Sequence, residues 1–587
     1  LETNIMQPIH EMNERRFPCR LTLFAALCIA LFPFASAVAQ VSTGSITGTV
    51  TDSSGAVLPG VSVQIVSAGT GVSQSLTTTS SGIFNQPNLD AGTYHITLQA
   101  KGFATVKTDA LVDVGHNTVV AVKLQIATTD QVITVESSTP VVDLGSTQLN
   151  QTVDGKTLRE LPLNGRDWTS LSVLEPNVHT VDNQLSISAG DNSRSNRGVG
   201  TQISIGGTRP AANNYRLDGV TTNDYSGAGP GGALGGTLGV DAIQEFSVVT
   251  SNSTAEYGRT YGGVVSAVTR EGTNKYHGTL YEFIRNSAIQ ASPYLFPGNT
   301  PGKPPFKRNQ FGATIGGPIR KDKAFFFFNY EGLRQNRSTS TSVTVPSPNA
   351  IKGLLSCTQA ASGKTQNAAC LNGPGGPVAP AGTTGVQQYA IDPNVTPYLA
   401  IFTPPANAVP GGNPDVYNYS FTSAAAAKED LYTGRADYVF SPKDNIHATA
   451  LNDVSNDTQP DGFDFVVTGL NITRRVYSTQ EAHQFTANAI NSAHVGYAYT
   501  FSIAPAASTG INPLATNGAL GFVPNNNVGE LQIGGLSTFF GGVNAEGVYS
   551  FHYHSYQAGD DFYLTKGAHS IQTGFSYERI QSNDTGN

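Results

Sequence analysis

The sequence predicts an all-β-dominated fold: a small N-terminal β-sandwich, a polar Gly-rich domain, then antiparallel strands that cross a membrane. Three observations predict it. Charged residues are only 13% of 587, whereas Gly is abundant and Tyr and Phe are frequent, a profile poor in helix formers and rich in strand and turn residues. Apolar and polar residues alternate over runs of about ten, the length that crosses a bilayer when tilted. The apolar fraction of 39% and mean hydropathy of −0.17 exclude a bundle of transmembrane helices. They leave room for a barrel, whose strands are apolar only at every second position. A net charge of −8 gives no support to a nucleic-acid partner.

From Met12 the chain runs MNERRFPCR, LTLFAALCIALFPF and ASAVAQ. Arg15, Arg16 and Arg20 make a basic n-region, and Leu21 to Phe34 is an apolar stretch too short to span comfortably. Ala37 and Ala39 are the small residues a signal peptidase requires. Residues 1–39 are therefore expected to be a leader and signal peptide, starting at Met12 and cut between Ala39 and Gln40. Ala26 and Leu27 make a poor lipobox before Cys28, which disfavours lipid attachment there. Cys19 and Cys28 leave with that peptide, so Cys357 and Cys370 are the mature cysteines. They lie in a polar, loop-like stretch and are expected to form a disulfide, closing a loop worth about 3 kcal/mol. A metal site is the alternative for this pair, but no His or further Cys lies near it in sequence.

Residues 41–126 are the expected sandwich. SITGTVTD, VSVQIVS, TYHITLQA and TVVAVKLQI alternate, and Asp52-Ser53-Ser54-Gly55 and Pro59-Gly60 turn the chain between them. About seven strands fit. Gly48-x-Val50-x-Asp52-x-x-Gly55, Leu58-Pro59-Gly60-Val61, Thr79-x-x-Gly82-x-Phe84, Leu89-x-x-Gly92-x-Tyr94-x-Ile96 and Lys101-Gly102-Phe103 resemble the carboxypeptidase regulatory-like domain. The resemblance implies an accessory transthyretin-like sandwich, related to some carbohydrate-binding modules, and not a peptidase. Tyr94 and Phe103 are candidates for facing a ligand, although Tyr94 in an alternating strand fits a core position better.

Residues 127–140 form a linker with one strand-forming stretch: Asp130, Gln131, Val132, Ile133, Thr134, Val135 and Glu136. Residues 141–270 carry denser motifs. Leu161-Pro162-Leu163-Asn164-Gly165-Arg166-Asp167-Trp168 and Ile205-Gly206-Gly207-Thr208-Arg209 come first. Asn213-Asn214-Tyr215-Arg216-Leu217-Asp218-Gly219-Val220, Ile243-Gln244-Glu245-Phe246 and Ala255-Glu256-Tyr257-Gly258-Arg259 follow. Together they resemble the α+β plug of Oar-like TonB-dependent receptors, with Asp167, Gly207 and Arg216 departing from that pattern. The resemblance makes 130–136 a TonB box, which pairs edge-on with a strand of TonB and is read mainly through its backbone. A plug sits in a wet lumen, and polar TQISIGGT suits that better than a dry core. Arg209, Asp218, Glu245, Glu256 and Arg259 are the candidate polar contacts from plug to barrel. The alternative for each is a solvated surface charge.

Residues 271–587 read as the N-terminal part of an outer-membrane β-barrel, with its first strand in Tyr276 to Phe283. In His494 to Ile503 the residues Val495, Tyr497, Tyr499, Phe501 and Ile503 share one face, expected to meet lipid. Gln310 to Gly316, Leu431 to Phe440 and Ser570 to Glu578 alternate likewise, which turns Arg435 and Asp437 into the lumen. Ser441-Pro442-Lys443-Asp444-Asn445 is a short turn of periplasmic type, and 341–425 and 504–550 are expected as extracellular loops. Phe325-Phe326-Phe327-Phe328 with Asn329-Tyr330-Glu331-Gly332 resembles an Oar-like strand with interfacial aromatics. Plugged transporters have roughly 22 strands. These residues supply far fewer and end at Asn587 without a closing aromatic, so an incomplete barrel is expected.

Other motifs carry no chemistry. Gly227-x-Gly229-x-x-Gly232 follows no strand signal and opens no helix, so it is a loop and not a dinucleotide fingerprint. Ser362-Gly363-Lys364-Thr365 has Thr358 where a P-loop needs glycine. His552 and His554 share a strand face, expected to line the lumen. No catalytic constellation, cofactor or metal site is expected. The expected function is TonB-coupled uptake of a bulky ligand (siderophore, oligosaccharide or peptide) across the outer membrane of a diderm bacterium. The N-terminal domain would lie in the periplasm, and the partners would be TonB with its inner-membrane energising complex, outer-membrane lipid and the cargo. A secreted β-sandwich adhesin is the competing reading; it accounts for residues 41–126 and leaves the plug motifs unexplained.

Overall fold

The computed structural model describes residues 43–127, 132–134, 149–161, 163–181, 203–224, 229, 231–232, 239–253, 257–258, 260–291, 305–358, 384–460, 463–503, 506–508, 517–521, 528–539 and 550–585. The expected cleavage pair Ala39 and Gln40, the box residues Asp130, Gln131, Val135 and Glu136, the plug residues Glu256 and Arg259, and Cys370 lie outside the described residues. So, therefore, do the cleavage site and the Cys357–Cys370 disulfide as structural questions.

Seven strands build the sandwich: β1 (Gly44–Thr51), β2 (Ser62–Ser67), β3 (Ser73–Thr77), β4 (Ile83–Leu89), β5 (Gly92–Gln99), β6 (Thr105–Val112) and β7 (Asn117–Lys123). One sheet runs β4-β1-β7 and the other begins β3-β2-β5-β6. Alternation along these strands sends Ile46, Val50, Val63, Ile65, Phe84, Ile96 and Leu98 into one apolar core. Gly48 is a packing requirement, because a Cβ there would come 2.1 Å from the Phe84 ring. Tyr94 belongs to this core, its hydroxyl donating to the Asp90 carbonyl at 2.9 Å, and Phe103 packs against it half-buried. A further strand, β8 (Val132–Thr134), lies parallel to β6 and ends the second sheet, with Ile133 opposite Val106.

Next come β9 (Leu149–Asp154), β10 (Val178–Thr180), β11 (Ile203–Ile205), β12 (Asn214–Leu217), β13 (Val220–Thr221), β14 (Ile243–Ser251) and β15 (Val264–Thr269). Five of them form a mixed sheet in the order β13-β12-β15-β14-β9. A helix, Gly155–Glu160, starts where the Asp154 carboxylate accepts the backbone N–H groups of Lys156 and Thr157. Trp168, Leu171, Phe246, Val248 and Val265 pack beneath the sheet, and Val476 and Ala498 from the strand wall complete that cluster.

The wall consists of long antiparallel strands: β16 (His277–Asn286), β17 (Phe306–Arg320) and β18 (Ala324–Pro346). The short strands β19 (Leu354–Thr358), β20 (Thr384–Gln388) and β21 (Val409–Pro410) intervene. The wall resumes with β22 (Val416–Ser441), β23 (Asp444–Pro460), β24 (Val466–Thr486) and β25 (Ala489–Ile503), then short β26 (Ala506–Ser508), β27 (Ser550–Lys566) and β28 (His569–Thr585). Sheet order is β16-β17-β18-β22-β23-β24-β25-β27-β28, so the barrel is open between its first and last strands among the described residues.

The expected faces hold on β25, where Val495 is exposed while Ala498, Thr500 and Ser502 are buried inward. Arg435 and Asp437 likewise face inward on β22. The expected loops need correction: the β18–β22 ladder runs on to Pro346 and restarts at Val416, and β26 pairs with β24. The reason is that Thr341 to Val345 keeps alternating, with Val343 and Val345 buried above the wall. There they join Ile401, Phe402, Phe463 and Phe539 in a separate apolar cluster, with Phe402 edge-on to Phe463. At the opposite end the strands are joined by short turns, β22 to β23 through Pro442 and Lys443 and β27 to β28 through Gly567 and Ala568.

Candidate functional site

Charged side chains fasten the plug to the wall. Gly165 takes a φ of 78° and Arg166 one of 54°, a tight turn that lifts the Arg166 side chain toward the wall. Its Nε donates to Glu331 Oε1 at 3.2 Å, and its other end pairs with Asp241 on the plug. Glu331 on β18 is fully buried; it also accepts the Gly239 N–H at 2.9 Å and the Gln310 amide at 2.8 Å. The guanidinium lies over Tyr281 and Phe283, 4.4 and 4.7 Å from their ring centres. Such a buried pair contributes little net stability against an apolar substitute, yet removing one partner strands the other charge.

A second junction joins three parts of the molecule. Arg435, buried on β22, donates to the Thr269 carbonyl of the plug at 3.2 Å and to Asp90 of the sandwich at 3.1 Å. It also donates to Asp437 on its own strand at 2.9 Å. Burial pushes the Asp90 carboxyl up, but the Arg435 guanidinium and His447 outweigh it and hold the group below its ordinary value. Glu271 nearby is pushed well above the usual range by burial, then by Asp90 and Asp437. Further bonds seat the sandwich on the short-turn end of the wall. Thr79 donates to the Gly567 carbonyl at 2.9 Å, Asn85 to Ser570 at 2.9 Å, and Gln480 to Asn88 at 2.8 Å.

The residues picked out from sequence sit differently from one another. Asp218 is buried inside the plug, where it accepts the Thr269 N–H at 2.8 Å and its hydroxyl at 2.7 Å, and its charge also acts on Arg435 of the wall. Glu245 is a correction: its carboxylate accepts the Val114 N–H, which makes it a plug-to-sandwich contact instead of a plug-to-wall one. Arg209 is exposed ahead of the short helix Pro210–Ala212. Arg166, Glu331, Asp90 and Arg435 were missed as contacts. A signal existed for the first two, since each is a charge set beside Gly and aromatic residues in a recognised motif.

His552 and His554 are also a correction, since they face outward and not into the lumen. The Tyr497 hydroxyl meets His554 Nδ1 at 2.9 Å and Tyr499 meets His552 Nδ1 at 3.1 Å, on the face those tyrosines present outside. Asp444, Glu481 and His483 converge on the same side, with ligand-type atoms within 4.8 Å of one another. His483 Nδ1 is already bonded to Asp444 at 2.5 Å, with its ring edge-on to Phe485. This is a cross-strand hydrogen bond that sequence spacing could not reveal.

A strand wall with an apolar outer face, filled by a polar plug, defines an outer-membrane barrel. The chain belongs to the outer membrane beta barrel domain family, whose model matches residues 268–587, and its place is the outer membrane. Residues 45–125 match the carboxypeptidase regulatory-like domain. Among individual proteins, the chain is similar to the TonB-dependent transporter Oar of Myxococcus xanthus, 27% identical over 272 residues. That match spans 44% of this chain and 23% of Oar. Among solved structures, the outer membrane transporter YddB of Escherichia coli aligns at 14% identity and TM-score 0.45, over 74% of this chain and 48% of that one. The alcaligin receptor FauA of Bordetella pertussis aligns at 8% and 0.38, over 76% and 57%. At those levels nothing about cargo follows.

Proposed function

We propose that this chain is part of a TonB-dependent receptor that takes up a bulky ligand (siderophore, oligosaccharide or peptide) through energy delivered by TonB and its inner-membrane complex. One observation carries the reading: a polar plug held in the strand wall by a few buried charges, Arg166 with Glu331 and Asp241 foremost. A domain bonded in this way can be pulled free as its charges pass to lumen water, which an apolar plug could not do cheaply. The work is binding and coupled conformational change, without a chemical step. In this reading the sandwich and the short turns lie in the periplasm, and residues 130–136 are the TonB box.

The test is backbone chemistry in the box of the full-length receptor. Ile133→Pro removes an N–H from the strand, at a cost of about 1 kcal/mol or more in pairing. Growth on a cargo-limited medium should fall sharply, to the level of a strain lacking TonB, while cargo binding at the cell surface is kept. Ile133→Ala, which spares the backbone bonds, should grow nearly as the parent does. Equal growth of the proline variant and the parent overturns the reading.

A further inference from the structure

We infer that the cargo is a small polyanion, its carboxylate or phosphate groups received by a cluster of arginines where β16, β17 and β18 face the lumen. The inference deepens the uptake reading by naming the chemical class of the cargo, and it rests on that reading only in calling the bound anion cargo. Arg285 on β16 stands directly opposite Arg308 on β17, and Arg337 on β18 stands opposite Phe306. The Arg285 and Arg308 guanidiniums share one ring, 4.8 and 5.5 Å from the centre of Phe306. Like charges placed directly across a ladder destabilise a sheet, so this pairing works against the wall itself. An anion between the two removes the repulsion, and the guanidinium fork matches carboxylate and phosphate oxygens two at a time.

Arg308 shares a strand face with Gln310, whose amide donates to the Gly165 carbonyl of the plug at 3.2 Å. Its own Nη1 lies 3.2 Å from where a Cβ on Gly165 would stand, so the same side chain borders plug and wall. The three arginines lie farther from the short turns than Glu331 does, on the side from which cargo arrives. Arg285 Nε donates to Gln290 at 3.1 Å and Arg308 Nε to Gln335 at 2.7 Å, neutral amides that position the forks without cancelling their charge. Arg337 comes within 3.9 Å of Asp457. Between the plug helix and this part of the wall is a cavity of about 520 Å³, a volume that suits a small ligand. Arg159, Arg285, Arg308 and Phe283 line it, and among the described residues Glu160 is the one acid of that lining. The sequence adds to the same field. From Phe283 to Lys321 and from Gly332 to Ile391 it has no Asp or Glu, while Lys303, Lys307, Arg334 and Lys352 fall there. In a chain of net charge −8, this sector draws anions.

The test is calorimetry on the purified full-length receptor in non-ionic detergent, with citrate, tripolyphosphate and uncharged raffinose as probes. At least one polyanion should bind with a Kd below about 1 mM at low salt, raffinose should not, and added salt should weaken the binding. Binding of citrate alone assigns a carboxylate cargo, and binding of tripolyphosphate alone a phosphate one. Arg285→Gln and Arg308→Gln should each weaken it by about tenfold, whereas Arg285→Lys, which keeps the charge, should lose no more than about threefold. Each variant is counted only with a folded barrel, read by heat-shifted gel mobility, and the parent's binding decides if none folds. No polyanion binding overturns the inference, and so does binding that both Gln variants leave unchanged, an adventitious ion only. Equal losses in Arg285→Gln and Arg285→Lys overturn it too, since they assign the effect to packing on Phe306. The readout needs no TonB. Normal growth of the Ile133→Pro variant would remove coupled uptake and leave anion binding standing, while absent anion binding leaves coupled uptake of an uncharged cargo.

Discussion

In the sandwich, Phe84, Ile96 and Leu98 face one another across a core without a charge. In the plug, a five-stranded sheet buries Arg216, Asp218 and Glu245 beside Phe246 and Val248. Both domains are small, Gly-rich and strand-built, yet the sandwich draws its main core from its own strands, with Ala487 of the wall only at its margin, whereas the plug is finished by its surroundings: Val476 and Ala498 of the wall complete the plug's cluster, and Glu331 completes its charge pairing. The difference teaches that burial in the plug is conditional. A residue there is dry only while the wall or the sandwich covers it, which is the property a movable stopper needs.

Perturbations that hit only one of the two domains test this contrast. The largest effect belongs to the sandwich: Phe84→Ala opens a cavity in a dry core and should cost about 3–5 kcal/mol. Limited proteolysis of the whole chain should then cut within residues 43–127 while the strand wall survives; an uncut sandwich would break the contrast. Next, Arg166→Ala strands both Glu331 and Asp241, at about 3 kcal/mol, whereas Glu331→Ala leaves Arg166 its pair with Asp241 and should cost less. The plug should loosen and admit vancomycin to cells carrying the full-length receptor. The double variant should cost less than the two single costs added, since no lone charge remains between that pair.

A smaller effect depends on pH. Burial, and then Asp113 and Asp154, push the Glu245 carboxyl up to about 8 from an ordinary 4.5, although the Val114 N–H pulls the other way. The docked plug thus keeps a proton that an undocked one releases, so docking is favoured fully below about 4.5 and loses that advantage as pH climbs toward 8. Hydrogen exchange at the Val114 amide, corrected for its intrinsic rate, should show protection falling between those values. Glu245→Gln should flatten the profile; the parent slope persisting in that variant assigns it to another group. The smallest effect is Arg209→Ala, at an exposed position, which should change stability by no more than about 0.5 kcal/mol in a urea titration.

What sequence could show followed the range of the forces involved. Lipid imposes a period of two on each strand, so the outward set from Val495 to Ile503 was legible within ten residues. The same rule misled at His552 and His554, because two polar residues on one face read as lumen while inward Tyr553 and Tyr563 carry the apolar cue. Those histidines are tolerated outside because Tyr497 and Tyr499 bond them. The Arg435 junction was out of reach. Its partner Asp90 lies 345 residues away, and no local pattern records that a sandwich will seat against a barrel rim. Glu245 was singled out correctly as a charge with work to do and given the wrong neighbour, since family motifs mark the plug and say nothing of an accessory domain's docking face.

The hairpin of β18 and β22 has a consequence for what happens far from any of these bonds. Its strands stay paired from Ala324 and Tyr438 to Pro346 and Val416, and β18 alone is 23 residues long. At about 3.3 Å per residue and a tilt of about 40°, that is a rise of about 55 Å, roughly twice the 25 Å apolar band of an outer membrane. Half of the hairpin therefore stands clear of the lipid as a stiff mast, with Phe402 and Phe539 packed at its head. A molecule approaching from that side meets this tip some tens of ångströms before it meets the bilayer.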